Sequence, residues 1–167
     1  MKRLLPLLAA ATTLFLVGCA GTHQYLPMPD QSKTVDDPAK GRIYVLRPSS
    51  FGGAVGMNIS DGGNPVGSTG PGGYLCWERE PGDVVVSSTS ENTSRVSLAV
   101  RAGTVHYILQ SIRMGIWVAR TDLEVIDEAK AKAELKHCKP AKVEKPPAVE
   151  KTEKVEKAEK TEPPAAK

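Results

Sequence analysis

Between residues 40 and 119 the chain breaks into short runs rich in Val, Ile, Thr and Tyr, separated by turn-forming pairs at intervals of roughly eight to twelve residues. Runs this short cannot carry the recurring apolar stripe of an amphipathic helix, so they restrict the chain to an architecture of many small strands. Arg42–Arg47 is a strand candidate ended by Pro48-Ser49-Ser50, and Ala54–Ser60 is a second. Asp61-Gly62-Gly63-Asn64 then marks a hairpin. Pro65–Thr69 reads as an edge strand, since proline cannot donate to an inner ladder. Gly73–Arg79 and Asp83–Ser88 follow, with Pro81-Gly82 between them. In Ser94–Arg101, Val96, Leu98 and Val100 fall on one face. Ala102-Gly103 leads into Thr104–Ile112, and Gly115–Ala119 opens a last strand. From Asp122 to Leu135 the composition turns to Ala, Glu and Lys, which predicts a helix. The expected fold is all-β: a small antiparallel sandwich of seven or eight strands over residues 40–138, closed by a C-terminal helix.

Two flanks differ from this domain. Lys2 and Arg3 precede an apolar run from Leu4 to Leu16, shorter than the roughly 20 residues that cross a bilayer as a helix. Residues 1–18 therefore read as a signal peptide. Leu16-Val17-Gly18-Cys19 resembles the bacterial lipobox, which implies a diacylated Cys19 that becomes the N-terminus and is acylated again. Several acyl chains hold a protein stably, so the partner implied is the membrane. Ala20 after the cysteine favours outer-membrane delivery by resemblance to enteric sorting rules, with the domain in the periplasm. Residues 19–39 carry Pro27, Pro29 and Pro38 without apolar periodicity and read as an extended tether that leaves His23 and Tyr25 in solvent. Residues 139–167 are dominated by Lys, Glu, Pro and Ala and read as a disordered or partly helical tail.

Charge and composition exclude several classes. The 22 basic residues face 19 acidic ones, and loss of Lys2 and Arg3 with the signal leaves a near balance that argues against nucleic acid as a partner. Three cysteines are too few for a disulfide-built scaffold. With Cys19 lipidated, Cys76 and Cys138 remain as an even pair in an oxidising compartment. The leading expectation is a disulfide tying the helix to the sheet, worth about 4 kcal/mol on the chain-entropy model; two separate thiols are the alternative. His137-Cys138 with a distant Cys76 lacks the paired spacing of a zinc site, so no metal is assigned. No catalytic residue is assigned either. His106 falls mid-strand between Val105 and Tyr107, no serine sits in a Gly-x-Ser-x-Gly elbow, and the Gly-Gly pairs lack the continuation of a phosphate loop. No cofactor is expected. Tyr74, Trp77 and Trp117 are core residues on one reading, and on the other a glycan or peptide patch if exposed together.

One resemblance covers roughly residues 40–112. Gly41-Arg42-Ile43-Tyr44-Val45-Leu46-Arg47-Pro48, Asp61-Gly62-Gly63-Asn64-Pro65-Val66-Gly67, Gly72-Gly73-Tyr74-Leu75, Pro81-Gly82-Asp83-Val84-Val85-Val86 and Ala102-Gly103-Thr104-Val105-His106-Tyr107-Ile108 occur in the order found in small bacterial lipoproteins that carry a domain of unknown function. The turn and strand grammar is also similar to the P-E-G-A-type sandwich. The resemblance implies a lipoprotein β-sandwich and brings no catalytic residues. The expected function is that of an envelope lipoprotein, a non-enzymatic structural or binding module whose partner is an envelope protein or peptidoglycan. The alternatives are a glycan- or peptide-binding accessory protein and a subunit of a cell-wall-modifying enzyme.

Overall fold

The computed structural model describes residues 21–53 and 55–146. The expected signal peptide and lipidated Cys19, and the expected tail from residue 147 onward, lie outside the described residues. Eight strands of five residues or more form the body: β2 (Gly41–Arg47), β3 (Met57–Asp61), β4 (Asn64–Thr69), β5 (Gly73–Arg79), β6 (Gly82–Thr89), β7 (Thr93–Val100), β8 (Val105–Met114) and β9 (Ala119–Ile126). Three two-residue strands complete the sheets: β1 (His23–Gln24), β10 (Lys139–Pro140) and β11 (Lys142–Val143). One sheet has the order β11-β1-β4-β3-β6-β7 and the other β10-β5-β2-β8-β9. The single helix among the described residues, α1 (Glu128–Leu135), starts on an Asp127 cap that accepts from Lys130 N–H and buries Ala131. No described helix is long and apolar enough to cross a membrane.

Both sheets are mixed rather than antiparallel throughout. β7 ends in one sheet and β8 begins in the other, so β8 returns beside β2 in the same direction, Ile43 opposite His106 and Leu46 opposite Leu109. The Asp61–Asn64 hairpin forms as the sequence predicts, with Gly62 and Gly63 at φ of 55° and 89°, a conformation that needs glycine. The expected last strand and helix are shifted. Residues 115–118 form the tip of the β8–β9 hairpin, and Asp122–Ile126 is strand, because Leu123 and Ile126 bury where solvent-facing helix was expected. β4 is not an edge strand, yet β1 pairs only Gly67 and Ser68, which leaves Pro65 beyond its reach.

Two cores explain the pattern of β2, in which every residue is buried. Ile43 and Val45 face the other sheet and pack with Trp77, Ile59, Val86, Leu98 and Ile108. Tyr44 and Leu46 face outward and pack with Tyr74, Cys76, Ile126 and Ala131 under α1. A strand buried on both faces reads as a continuous apolar run, as Ile43–Leu46 does.

The segment expected as an extended tether is docked instead. Gln24 is fully buried, its side chain donating to Leu26 O and Cys76 O and accepting from Cys76 N–H. A Cβ at Gly67 would lie 2.7 Å from Gln24 Cα, so β1 seats only because that residue is glycine. The tail likewise begins later than residue 139: Lys139 and Ala141 N–H groups donate to Gly72 O and Tyr74 O in one sheet, then Lys142 and Glu144 donate to Thr22 O and Gln24 O in the other. This crossing closes one seam of the sandwich. The opposite seam is closed by Asn92, which exchanges side-chain hydrogen bonds with the Thr121 backbone, and by Ser94, which accepts from Leu123 N–H.

Candidate functional site

The expected disulfide does not form: Cys76 and Cys138 are free thiols. Pairing of Lys139 with Gly73 sets Cys138 alongside Gly72, four positions from Cys76, or about 13 Å along the strand. A disulfide needs Cα atoms within about 7 Å. Burial pushes the Cys76 thiol up to about 11, and burial with Glu134 nearby does the same for Cys138. Both stay protonated at neutral pH, which makes them weak nucleophiles and weak metal ligands.

The aromatic candidates separate. Tyr74 and Trp77 are buried on opposite faces of β5, Tyr74 under α1 and Trp77 between the sheets. Trp77 Nε1 donates to Asp61 at 2.7 Å, and Asp61 also pairs with Arg79. They form no common patch. Trp117 is 90% exposed at the tip of the β8–β9 hairpin.

Three constellations stand out. The first is a cleft of about 560 Å³ on the outer face of β2 and β8, bounded by α1 and residues 31–34. Tyr44 and Tyr107 stack on its floor with ring centroids 5.2 Å apart, and Tyr44 is also 5.9 Å from Tyr74. Tyr44 Oη donates to Gln31, and its acidity is suppressed, first by burial and then by Cys76. Burial and Glu128 act in the same direction on Tyr107. Lys33, Asp127, Glu128 and Lys132 stand at the rim, Lys132 bonded to Glu128 at 2.7 Å. Beside the cleft, Arg42 donates from Nε and one terminal nitrogen to Glu78 and from the other to Asp30 O and Lys33 O. Burial opposes the Glu78 charge, but N–H bonds from Asp36 and Asp37 together with Arg42 outweigh it and hold the carboxyl below its ordinary range. This ion pair pins residues 30–37 over the sheet. His106 shares the inward face of Ile108; its ring meets Thr104 Oγ1 at 3.1 Å, and burial lowers its pKa, which keeps the imidazole neutral.

The second is a buried polar cluster at one end of the sandwich. Arg47 is fully buried, and its terminal nitrogens donate to Val55 O, Thr69 O, Phe51 O and Gly52 O at 2.8–3.1 Å. Next to it Thr69 donates to Gln110, whose amide donates to Ser88 and Thr121. A planar guanidinium with four carbonyl acceptors fastens the loop after β2 to the body. The apolar periodicity of the sequence holds no sign of this role, although the Arg-Pro at the end of β2 marks the position.

The third is the β8–β9 tip. Both Glu91 carboxylate oxygens accept from backbone N–H groups, Ile116 at 3.1 Å and Trp117 and Val118 at 2.9 Å. These bonds, Val118 first, depress the Glu91 pKa to about 2. The clamp fixes a loop whose side chains, Ile116 and Trp117, point to solvent.

A family model described as a protein of unknown function (DUF2846) matches residues 37–122, from the start of the domain to mid-β9. The chain belongs to this family. The match takes in Tyr44, Arg47, Tyr107 and the Glu91-clamped tip, whereas β1, α1, β10 and β11 lie outside it. No curated protein matches the chain.

Proposed function

We propose that the chain is a bacterial envelope lipoprotein, held in the outer membrane through Cys19, whose domain is a non-enzymatic binding module on the periplasmic side. The lipobox-like Leu16–Cys19 supports the anchor. The observation that carries the binding reading is the cleft over Tyr44 and Tyr107. An aromatic floor offers a face to a sugar ring, and a rim with both amines and carboxylates suits a ligand that carries both charges. A peptidoglycan fragment, sugar joined to a short peptide, has that chemistry. The polar group on the cleft floor is engaged within the fold, Tyr44 with Gln31. That favours binding over turnover.

The test is titration of the full mature chain with a purified disaccharide-tetrapeptide, followed by NMR. Saturable shifts confined to Tyr107, Lys33 and Lys132, weakened about tenfold or more by Tyr107→Ala, support the reading; each factor of ten is about 1.4 kcal/mol. No shift at millimolar ligand rules out this ligand class, and conversion of the fragment to product replaces the reading with the enzyme alternative. Cys19→Ala checks the anchor separately: the variant must lose fatty-acid label and leave the membrane fraction.

A further inference from the structure

Strand directions place the N-terminal entry and the apolar β8–β9 tip at the same end of the sandwich. β8 runs parallel to β2 and continues from Leu109, opposite Leu46, to Met114. The tip therefore projects roughly 13 Å past Arg47, the end of β2. Gly73 pairs with Arg47, so β5 begins at that end, and β4 finishes there, just before the short Gly70–Gly72 turn. His23 pairs with Ser68 near the end of β4, and Thr22 Oγ1 accepts from Gly70 N–H. The chain thus enters the domain at Gly21 from this same end. Cys19 is two residues earlier, within about 7 Å of Gly21. In the strand order β10-β5-β2-β8-β9, the tip lies three strands from β10, about 14 Å sideways.

The surface of this end is unlike the rest. Among the described residues, five of the eight exposed large apolar side chains gather here: Phe51 and the tip residues Met114, Ile116, Trp117 and Val118. Gly52, beside Phe51, approaches Ile112 and Ala119 of the same hairpin. Arg113 and Arg120 stand opposite each other at the base of the tip. Lys136 and Lys139, both exposed, belong to the same end through the Gly73–Lys139 pair. The carboxylates there are engaged: Glu91 holds the tip backbone and neighbours Arg120, and Asp122 pairs with Arg113.

We infer that this end is a membrane-docking face, in which Ile116 and Trp117, stiffened by Glu91, enter the interface of the same phospholipid leaflet that holds the Cys19 lipid. The inference rests on the Cys19 anchor proposed above. Tryptophan and branched apolar residues partition to the headgroup boundary, and the exposed Lys136 and Lys139 at the same end suit anionic headgroups. A two-residue reach between anchor and fold keeps this end within contact of the lipid. Preorganisation by the Glu91 clamp removes the ordering cost of inserting a loop. β10 and β11 run parallel to β5 and β1, so the chain passes Glu144 heading away from this end.

The test reconstitutes the full lipidated chain into phosphatidylethanolamine–phosphatidylglycerol vesicles, with and without lipids brominated near the headgroup, and reads tryptophan fluorescence after flotation. Trp77 is sealed between the sheets and serves as the unquenched reference. Docking requires bromine to quench a large share of the emission and Trp117→Phe to remove that quenched share. Unquenched emission in vesicles with which the protein floats overturns the docking and leaves the anchor standing. A chain that does not float overturns the anchor, and the docking with it.

Discussion

Arg47 shows how one side chain can organise a region. A cation buried without a carboxylate is costly unless its donors are matched; four carbonyls from the β2–β3 loop and Thr69 match the two terminal nitrogens, while Nε is buried without a partner. Desolvation lowers its pKa, but a guanidinium remains charged at any working pH. Arg47→Met leaves those carbonyls without donors, and the expected loss is about 3 kcal/mol or more. Urea unfolding of the two proteins measures it; an unchanged midpoint would mean the loop does not depend on the guanidinium. At the same scale, Cys76 and Cys138 are expected to remain reduced. Non-reduced protein should yield two reactive thiols in denaturant, with Cys76 silent in the folded state at neutral pH. A chain that shows none until a reductant is added carries the disulfide after all.

Among the elements, the β8–β9 hairpin depends on its neighbour. A tip rich in Gly, Ile and Trp has little turn chemistry of its own, and its backbone N–H groups are satisfied by Glu91 from the β6–β7 turn. The Glu91 pKa is depressed from 4.5 to about 2. This contribution is therefore present above pH 4.5 and lost as pH falls toward 2. Amide exchange at Ile116–Val118 should accelerate over that window, and at neutral pH in Glu91→Gln, whose amide has only one accepting oxygen. Tip protection that stays constant from pH 5 to about 2 would be incompatible with the clamp. β1 depends on a neighbour in a different way. Gly67→Ala would drive a methyl into Gln24 Cα and the His23 carbonyl, expelling the strand from the sheet. Proteolysis between residues 21 and 40 should then become fast, whereas wild type resists it.

For the whole molecule, closure of both seams matters more than helix or tail composition. Residues 139–144 stitch the two sheets through four backbone bonds and bury Ala141. Truncation after His137 should cost about 4 kcal/mol at roughly 1 kcal/mol per bond, while truncation after Pro146 should leave the unfolding midpoint near wild type. Equal midpoints for the two truncations would deny the stitch. The same topology gathers the chain entry, Phe51 and the Trp117 tip at one end, the face we infer to dock on lipid.

Local chemistry in the chain was enough to determine the strand-rich class, the Gly62-Gly63 hairpin and most of the eight long strands. These depend on turn glycines, prolines and β-branched runs that act within a few residues. Which residues meet across the fold was decided only by the tertiary structure. The separation of Tyr74 from Trp77, the offset between Cys76 and Cys138, the docking of residues 21–37 and the hold of Glu91 on Trp117 all follow from strand register and seam closure. Segments such as 21–40 and 139–144 carry no periodicity because their partners are backbone groups of other strands. Pairing between backbones leaves little mark on side-chain pattern, so it emerges only when the sheets assemble.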